Sequence, residues 1–301
     1  MSKKTIALVG ATGSLGGLIA RELLALPGVS VRCLVRPASM VRAQPLKDAG
    51  ALLVEGDLDD TEALATLCRG AYTVISSVQG SYGIIVEGQQ RLLAAARAAG
   101  VRRFMPSDFS FNLFGMPEGA NLMSDWRRAF ARIAEDACGA VEVVHVLCGC
   151  FLDKDVLFGF LGAIDRNTKT ANLWGEGHQP MDFTTYVDTA RYTVAAATDD
   201  DMVPRYLGVV GEVLTFHELI AAYEAGSGNA LTTTRHGTLA DLDMYIEQVQ
   251  QMYPRNRMMT LPLKYWRAML NGTAKIKVLH NDRYPDLIPM DVAAYVQQER
   301  L

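Results

Sequence analysis

The feature that most constrains this chain is a glycine-rich turn near its start. Residues 5–9 are an apolar and β-branched run, Gly10-Ala11-Thr12-Gly13-Ser14-Leu15-Gly16 follows, and residues 18–26 carry a helical pattern. The run suits a strand buried on both faces. Gly10 permits a sharp exit, Gly13 lets a ligand approach the backbone, and Gly16 lets the new helix pack closely on the sheet. A helix start presents amide donors and a positive dipole end, so strand, turn and helix in this order predict a pyrophosphate site. Gly10, Thr12, Gly13, Ser14, Leu15 and Gly16 are its expected contacts.

The remainder of the first half repeats the strand–helix rhythm. Strands are expected over 29–35, 51–55, 72–76, 101–105 and 141–147, and helices over 61–69, 84–99 and 121–138. Such alternation with short turns predicts an α/β fold, a doubly wound parallel sheet of the Rossmann type. Ligands in these sheets bind at the carboxyl ends of the strands. That rule gathers Asp57, Ser77, Val78, Gln79, Ser107, Phe109, Cys150 and Phe151 beside the glycine turn.

Twenty positions past Gly16 stands Arg36, where a NAD-binding chain usually carries an acid for the ribose 2′-hydroxyl. A guanidinium there pairs with a 2′-phosphate instead, and Arg42 is placed to add a second contact. The predicted cofactor is therefore NADPH/NADP. Beyond Phe151 the rhythm breaks. Extended segments around Gly175-Glu176-Gly177, a helix from Phe216 capped by Thr215 with Glu218, and three further helices read as a smaller C-terminal substrate or lid region. The expected division is 1–150 for nucleotide binding and 151–301 for a smaller substrate-binding region packed against it.

Composition narrows the partners. Of 301 residues 50% are hydrophobic and 21% charged, the net charge is −4, and there is no basic block. This excludes nucleic acid or an anionic membrane as the main partner. No stretch approaches the roughly 18 apolar residues of a membrane span. Met1-Ser2-Lys3-Lys4 and the apolar run after it are too short for a leader and read as the first strand. Five scattered cysteines read as buried thiols of a reducing, cytoplasmic setting, and Cys148-Gly149-Cys150 has the wrong spacing for a metal pair. No metal is expected. A homodimer is left open.

Together with Leu34-Val35-Arg36-Pro37, Ala99-Gly100-Val101-Arg102-Arg103-Phe104 and Pro106-Ser107-Asp108-Phe109, the glycine turn resembles the isoflavone reductase-like branch of the NmrA-like family, atypical short-chain dehydrogenases/reductases. Asp182-Phe183-Thr184-Thr185-Tyr186-Val187-Asp188 and Arg283-Tyr284-Pro285 extend the resemblance, in a bacterial-type form, over nearly the whole chain. It implies NADPH-dependent reduction of a small planar aromatic or conjugated acceptor: a quinone, an isoflavonoid, a lignan or a benzylic ether. Its alternative is a nucleotide-sensing regulator with no turnover. Many plant relatives carry a catalytic lysine a turn before an Arg-Arg pair. Here the pair is Arg127-Arg128 and that position falls near Met123. No lysine lies between Lys47 and Lys154, and no tyrosine between Tyr82 and Tyr186. The catalytic group is thus unassigned, with Asp108, Asp125 and Tyr186 as candidates, and His145 reads as a hydrogen-bonded core histidine. A delocalised acceptor anion needs no positioned acid, which favours acceptors held by Phe109, Met123, Trp126 and Phe151.

Overall fold

The computed structural model describes residues 3–301; Met1 and Ser2, part of the stretch weighed above as a leader, lie outside them. In chain order the first elements are β1 (Lys4–Val9), α1 (Ser14–Ala25), β2 (Val29–Val35), α2 (Met40–Asp48), β3 (Leu52–Glu55), α3 (Thr61–Cys68) and β4 (Thr73–Ser76). They are followed by α4 (Gln89–Ala98), β5 (Arg103–Met105), α5 (Leu122–Ala137), β6 (Glu142–Val143) and β7 (His145–Leu147). β1 to β6 form one parallel sheet in the order β3-β2-β1-β4-β5-β6. The order reverses between β1 and β4, and the ends of those strands therefore leave a crevice. Ala7, Val9, Val74 and Phe104 from the strands pack with Leu64, Leu67, Leu92 and Phe130 from the helices in one buried cluster. Asp60 starts α3 by accepting the Glu62 and Ala63 N–H groups at 3.1 and 2.9 Å.

Two departures from the sequence reading have clear causes. The sixth strand, expected over 141–147, changes partner at Val144. Its N–H still goes to Phe104 O, whereas His145 N–H goes to Arg205 O and β7 leaves the six-stranded sheet. The helix expected over 84–99 begins with a wider π turn at Gly83–Gly88, because glycines at both ends relax the backbone before α4 starts.

The later elements are β8 (Cys150–Phe151), β9 (Ile164–Asp165), β10 (Thr170–Trp174), β11 (Met181–Thr184), α6 (Tyr186–Thr198), β12 (Tyr206–Gly208) and β13 (Glu212–Leu214). α7 (Phe216–Ser227), β14 (Thr232–Gly237), α8 (Leu239–Met252), α9 (Leu261–Leu270) and α10 (Val292–Glu299) complete the chain. Two small sheets, β14-β10-β9 and β13-β11-β8, and a cluster around Phe183, Phe216, Trp266 and Tyr295 build this part. Thr215 and Glu218 form the expected capping box on α7.

Contacts divide the chain into two units. The first is Met1–Phe109, Trp126–Val146 and Thr189–Leu207; the second is Ser110–Asp125, Leu147–Asp188 and Gly208–Leu301. The division is interleaved, where the sequence reading had a single boundary at 150. In the first unit Arg103 is fully buried and held by Glu142 (2.9 and 2.7 Å) and by the carbonyls of Ala196, Asp199 and Asp201. A buried guanidinium is tolerated only when all its donors are used in this way. Four cysteines are buried and Cys138 is half-exposed, against the expectation that all five are buried; all five are free thiols. Among the described residues no helix is long and apolar enough to cross a membrane.

Candidate functional site

At the carboxyl ends of β1 to β4, within the first unit, lies a cleft of about 500 Å³. Gly10, Thr12 and Gly13 line it from the turn after β1, and Arg36, Ser39 and Arg42 from the segment after β2. Asp57 and Asp59 follow β3, and Ser77, Val78 and Gln79 follow β4. The three turn glycines differ in what they do. Gly10 has φ +89°, and a Cβ there would stand 2.0 Å from Ser77 O. A Cβ on Gly16 would stand 2.2 Å from Gly10 O, so this glycine lets α1 lie against the turn. At Gly13 an added Cβ would meet only Gly10 O, at 3.4 Å, an ordinary contact. Packing does not require a glycine at 13, whereas a ligand resting on the turn would. α1 has no side-chain cap and no acid in its first turn, which leaves its positive end bare for an anion. Ser14, Leu15 and Gly16 open that helix.

Around the second strand end, Arg42 donates to Ser39 Oγ at 2.9 Å. Ser39 is almost fully buried, so two guanidinium groups and a hydroxyl share one wall of the cleft. Arg91 of α4, also in the lining, donates to Leu58 O at 2.8 Å and pairs with the Asp59 carboxylate. That fixes the β3–α3 loop on which Asp57 sits. Ser39, Glu87 and Arg91 line the cleft without having been singled out in the sequence. Ser39, three residues after Arg36 and three before Arg42, was the one that spacing could have suggested.

Ser107 stands behind the cleft. Its Oγ donates to Val78 O at 2.6 Å and accepts Val78 N–H at 2.9 Å, while its own N–H goes to Gln89 Oε1 at 2.8 Å. Arg127 Nε holds the Ser107 carbonyl at 2.9 Å. The hydroxyl is thus committed to the segment that lines the cleft. Ser107→Ala is expected to loosen Ser77–Gln79 and weaken NADPH binding about tenfold, the worth of one or two buried hydrogen bonds. Ser107→Thr should retain most of it; titration of NADPH fluorescence reads both.

The turn continues into Asp108, whose carboxylate meets His145 Nδ1 at 2.6 Å, both side chains fully buried. His145 stacks on Tyr206 with ring centres 5.4 Å apart, the core histidine that was expected. Asp108 therefore braces the turn from inside. Phe109 is buried with φ +32°, a backbone region costly for a side-chain-bearing residue, and the bonds at Ser107 and Asp108 hold it there. Trp126, half-buried, packs edge-to-face on Tyr82 with ring centres 6.2 Å apart.

Other residues singled out in the sequence belong to the second unit. Met123 is buried near the start of α5, and its N–H is accepted by Asn121 Oδ1 at 3.0 Å. Asp125 accepts the Gly119 N–H at 3.1 Å. Cys150 and Phe151 form β8, paired with β11, and do not continue the six-stranded sheet. Burial drives the Cys150 thiol far up, so it is no nucleophile. Phe151 packs on Tyr186 at 4.2 Å, and burial with the Asp153 charge pushes the Tyr186 hydroxyl up to about 12. A tyrosine held that high is a poor proton donor at neutral pH.

Asp153 itself is pushed up to about 6, by burial first, with the Tyr186 N–H (3.0 Å) only partly opposing it. The folded form thus holds its proton more tightly than the unfolded chain, whose value is about 3.9. Stability from this group is present below pH 4 and lost as pH rises through 6. Asp153→Asn keeps an acceptor for Tyr186 and should raise the melting temperature at pH 7.5 by about 2–4 °C, the equivalent of about 1 kcal/mol in a chain of this size. At pH 4 the gain should vanish. An equal gain at both pH values would mean that the carboxyl is not strained by ionising.

The fold and the cleft define a dinucleotide-binding α/β protein of the Rossmann type. The NmrA-like family description matches residues 2–113. An isoflavone reductase homologue of Zea mays is 31% identical over 75% of each chain, and pinoresinol reductase 1 of Arabidopsis thaliana is 27% identical over 83% of this chain and 81% of its own. Among solved structures, AtPrR2 with NADP+ and (+)-pinoresinol superimposes with a TM-score of 0.82 at 22% identity, covering 99% of both chains. An isoflavone reductase gives 0.82 at 20% identity over 99% of this chain and all of the other. The chain belongs to the NmrA-like family, in its isoflavone reductase-like branch.

Proposed function

We propose that this protein reduces a small planar aromatic or conjugated acceptor of the quinone, isoflavonoid, lignan or benzylic ether type. It is an NADPH-dependent oxidoreductase, as its reductase relatives and the NADP-bound neighbour of the same fold indicate. The observation that carries the reading is the cleft itself: a bare helix start beneath an open glycine, with Arg36, Ser39 and Arg42 on one wall.

In this reading residues 10–16 hold the pyrophosphate through backbone N–H groups, and Arg36 and Arg42 hold the 2′-phosphate, with Ser39 orienting Arg42. Asp57 lies on the adenine side, and Ser77, Val78 and Gln79 line the ribose of the nicotinamide. When bound, NADPH supplies the hydride. The chain orients it through the segment that Ser107 braces, and Phe109 and Trp126 offer apolar surface to the acceptor. Asp108 is committed to His145, Asp125 to Gly119, and Tyr186 holds its proton tightly. This supports acceptors whose reduced anion is delocalised and takes its proton from water.

The test is NADPH oxidation by the purified protein against a quinone, a flavonoid-type enone and a benzylic ether. Stoichiometric loss of NADPH absorbance with one of them is expected. Saturable nucleotide binding with no turnover on any would instead identify a nucleotide sensor.

A further inference from the structure

A second cavity, of about 490 Å³, lies wholly within the second unit. Leu122 and Asp125 of α5, Gln250 of α8, Arg257, and Leu261 and Lys264 of α9 are among its walls. Leu122 and Asp125 are three residues apart and share a helix face. Met123, the residue weighed for the acceptor, sits about 100° round the helix from Leu122. Met123 is not among the residues that line the cavity.

Its charge is unbalanced. Arg267, on the same helix as Lys264, is paired with Asp243 at 2.8 and 2.9 Å. Arg257 and Lys264 form no ion pair among the described residues, and α9 has no acid in its first turn. The one carboxylate on these walls, Asp125, already accepts the Gly119 N–H. Two cations against one carboxylate thus leave a net positive space, bordered otherwise by leucines and the amides of Gln250 and Gln251. The volume falls within the range of small-ligand pockets, about 300–1,000 Å³. A guanidinium grips a carboxylate through two parallel N–H donors, and a lysine adds a point charge.

We propose that this cavity binds a small carboxylate with a flat apolar body. Arg257 and Lys264 take the carboxylate, and Leu122 and Leu261 cover the body. The site is separate from the nucleotide cleft and does not depend on the acceptor.

Calorimetric titration of the full chain tests this, with 2-naphthoate, its neutral isostere 2-naphthamide, and inorganic phosphate as probes. Saturable 2-naphthoate binding is expected, with the amide and phosphate at least tenfold weaker. Replacing both cations (Lys264→Met with Arg257→Gln) should weaken 2-naphthoate at least tenfold and leave the amide and NADPH saturation unchanged. Loss in this variant assigns the heat to this cavity and not to an aromatic acceptor site. The proposal is overturned by equal affinity for acid and amide, by phosphate binding as tightly as 2-naphthoate, by full retention in the double variant, or by no saturable binding.

Discussion

Alanine at Gly10 is expected to destabilise the first unit by about 3 kcal/mol, and alanine at Gly13 hardly at all. At Gly10 two costs add. The backbone has φ +89°, which is worth about 1 kcal/mol against a non-glycine residue. The new methyl would also stand 2.0 Å from Ser77 O. That oxygen cannot withdraw freely, because Ser77 N–H is tied to Val9 O at 2.9 Å and β1 pairs β4 in register up to Val9 and Ser76. Overpacking of this kind costs about 1–3 kcal/mol. At Gly13 the methyl meets an ordinary contact and projects into open space. Gly13→Ala should therefore melt like the parent yet bind NADPH at least tenfold more weakly, since the methyl occupies the place of the pyrophosphate. Thermal melting and NADPH fluorescence separate the two effects. If Gly13→Ala binds NADPH as the parent does, the turn is not the cradle.

Replacing Arg36 by glutamate should cost about a hundredfold in affinity for NADPH and leave NADH nearly unchanged. The substitution removes a charge-assisted pair and sets a carboxylate against the 2′-phosphate, together worth about 3 kcal/mol. Arg36 and Arg42 share the cleft wall, so Arg42→Ala should show the same selectivity with a smaller effect. Ratios of kcat/KM for the two nucleotides provide the measurement, and an unchanged preference for NADPH would refute the assignment.

Both predictions use residues that could be read from the sequence, for a physical reason. Strand, glycine turn and helix are local signals, and Arg36 is fixed by counting along one βαβ unit. The central strands β1 and β4 are legible for the same reason, since they are short, largely buried apolar runs, whereas the edge strand β3 is exposed or half-buried along its length and is marked only by its place between turns. What escaped depends on the course of the chain in space. Glu87 and Arg91 reach the cleft from α4 and the π turn before it. Ser107 reads as a ligand contact because it follows a strand, but its hydroxyl is occupied by Val78. In the second unit β8 and β9 are two residues each, and β14 is exposed along nearly its whole length, so neither length nor alternation marks them. The interleaving of the units is illegible for a similar reason: it is decided by which neighbours a segment touches, not by its composition.

That interleaving, together with the burial of Arg103, bears on synthesis. The guanidinium in β5 needs Glu142 and then the carbonyls of Ala196, Asp199 and Asp201, up to 98 residues further along. A nascent chain that has exposed the whole six-stranded sheet has Glu142 to neutralise this guanidinium, but the donors that go to the three later carbonyls still have no acceptor in the interior. The first unit therefore cannot complete this buried cluster from the amino end as translation proceeds; its last acceptor arrives when residue 201 has left the ribosome, after more than two-thirds of the message has been read. Until then its apolar strand faces are open to chaperones, and truncations made before that point should be clients rather than folded proteins.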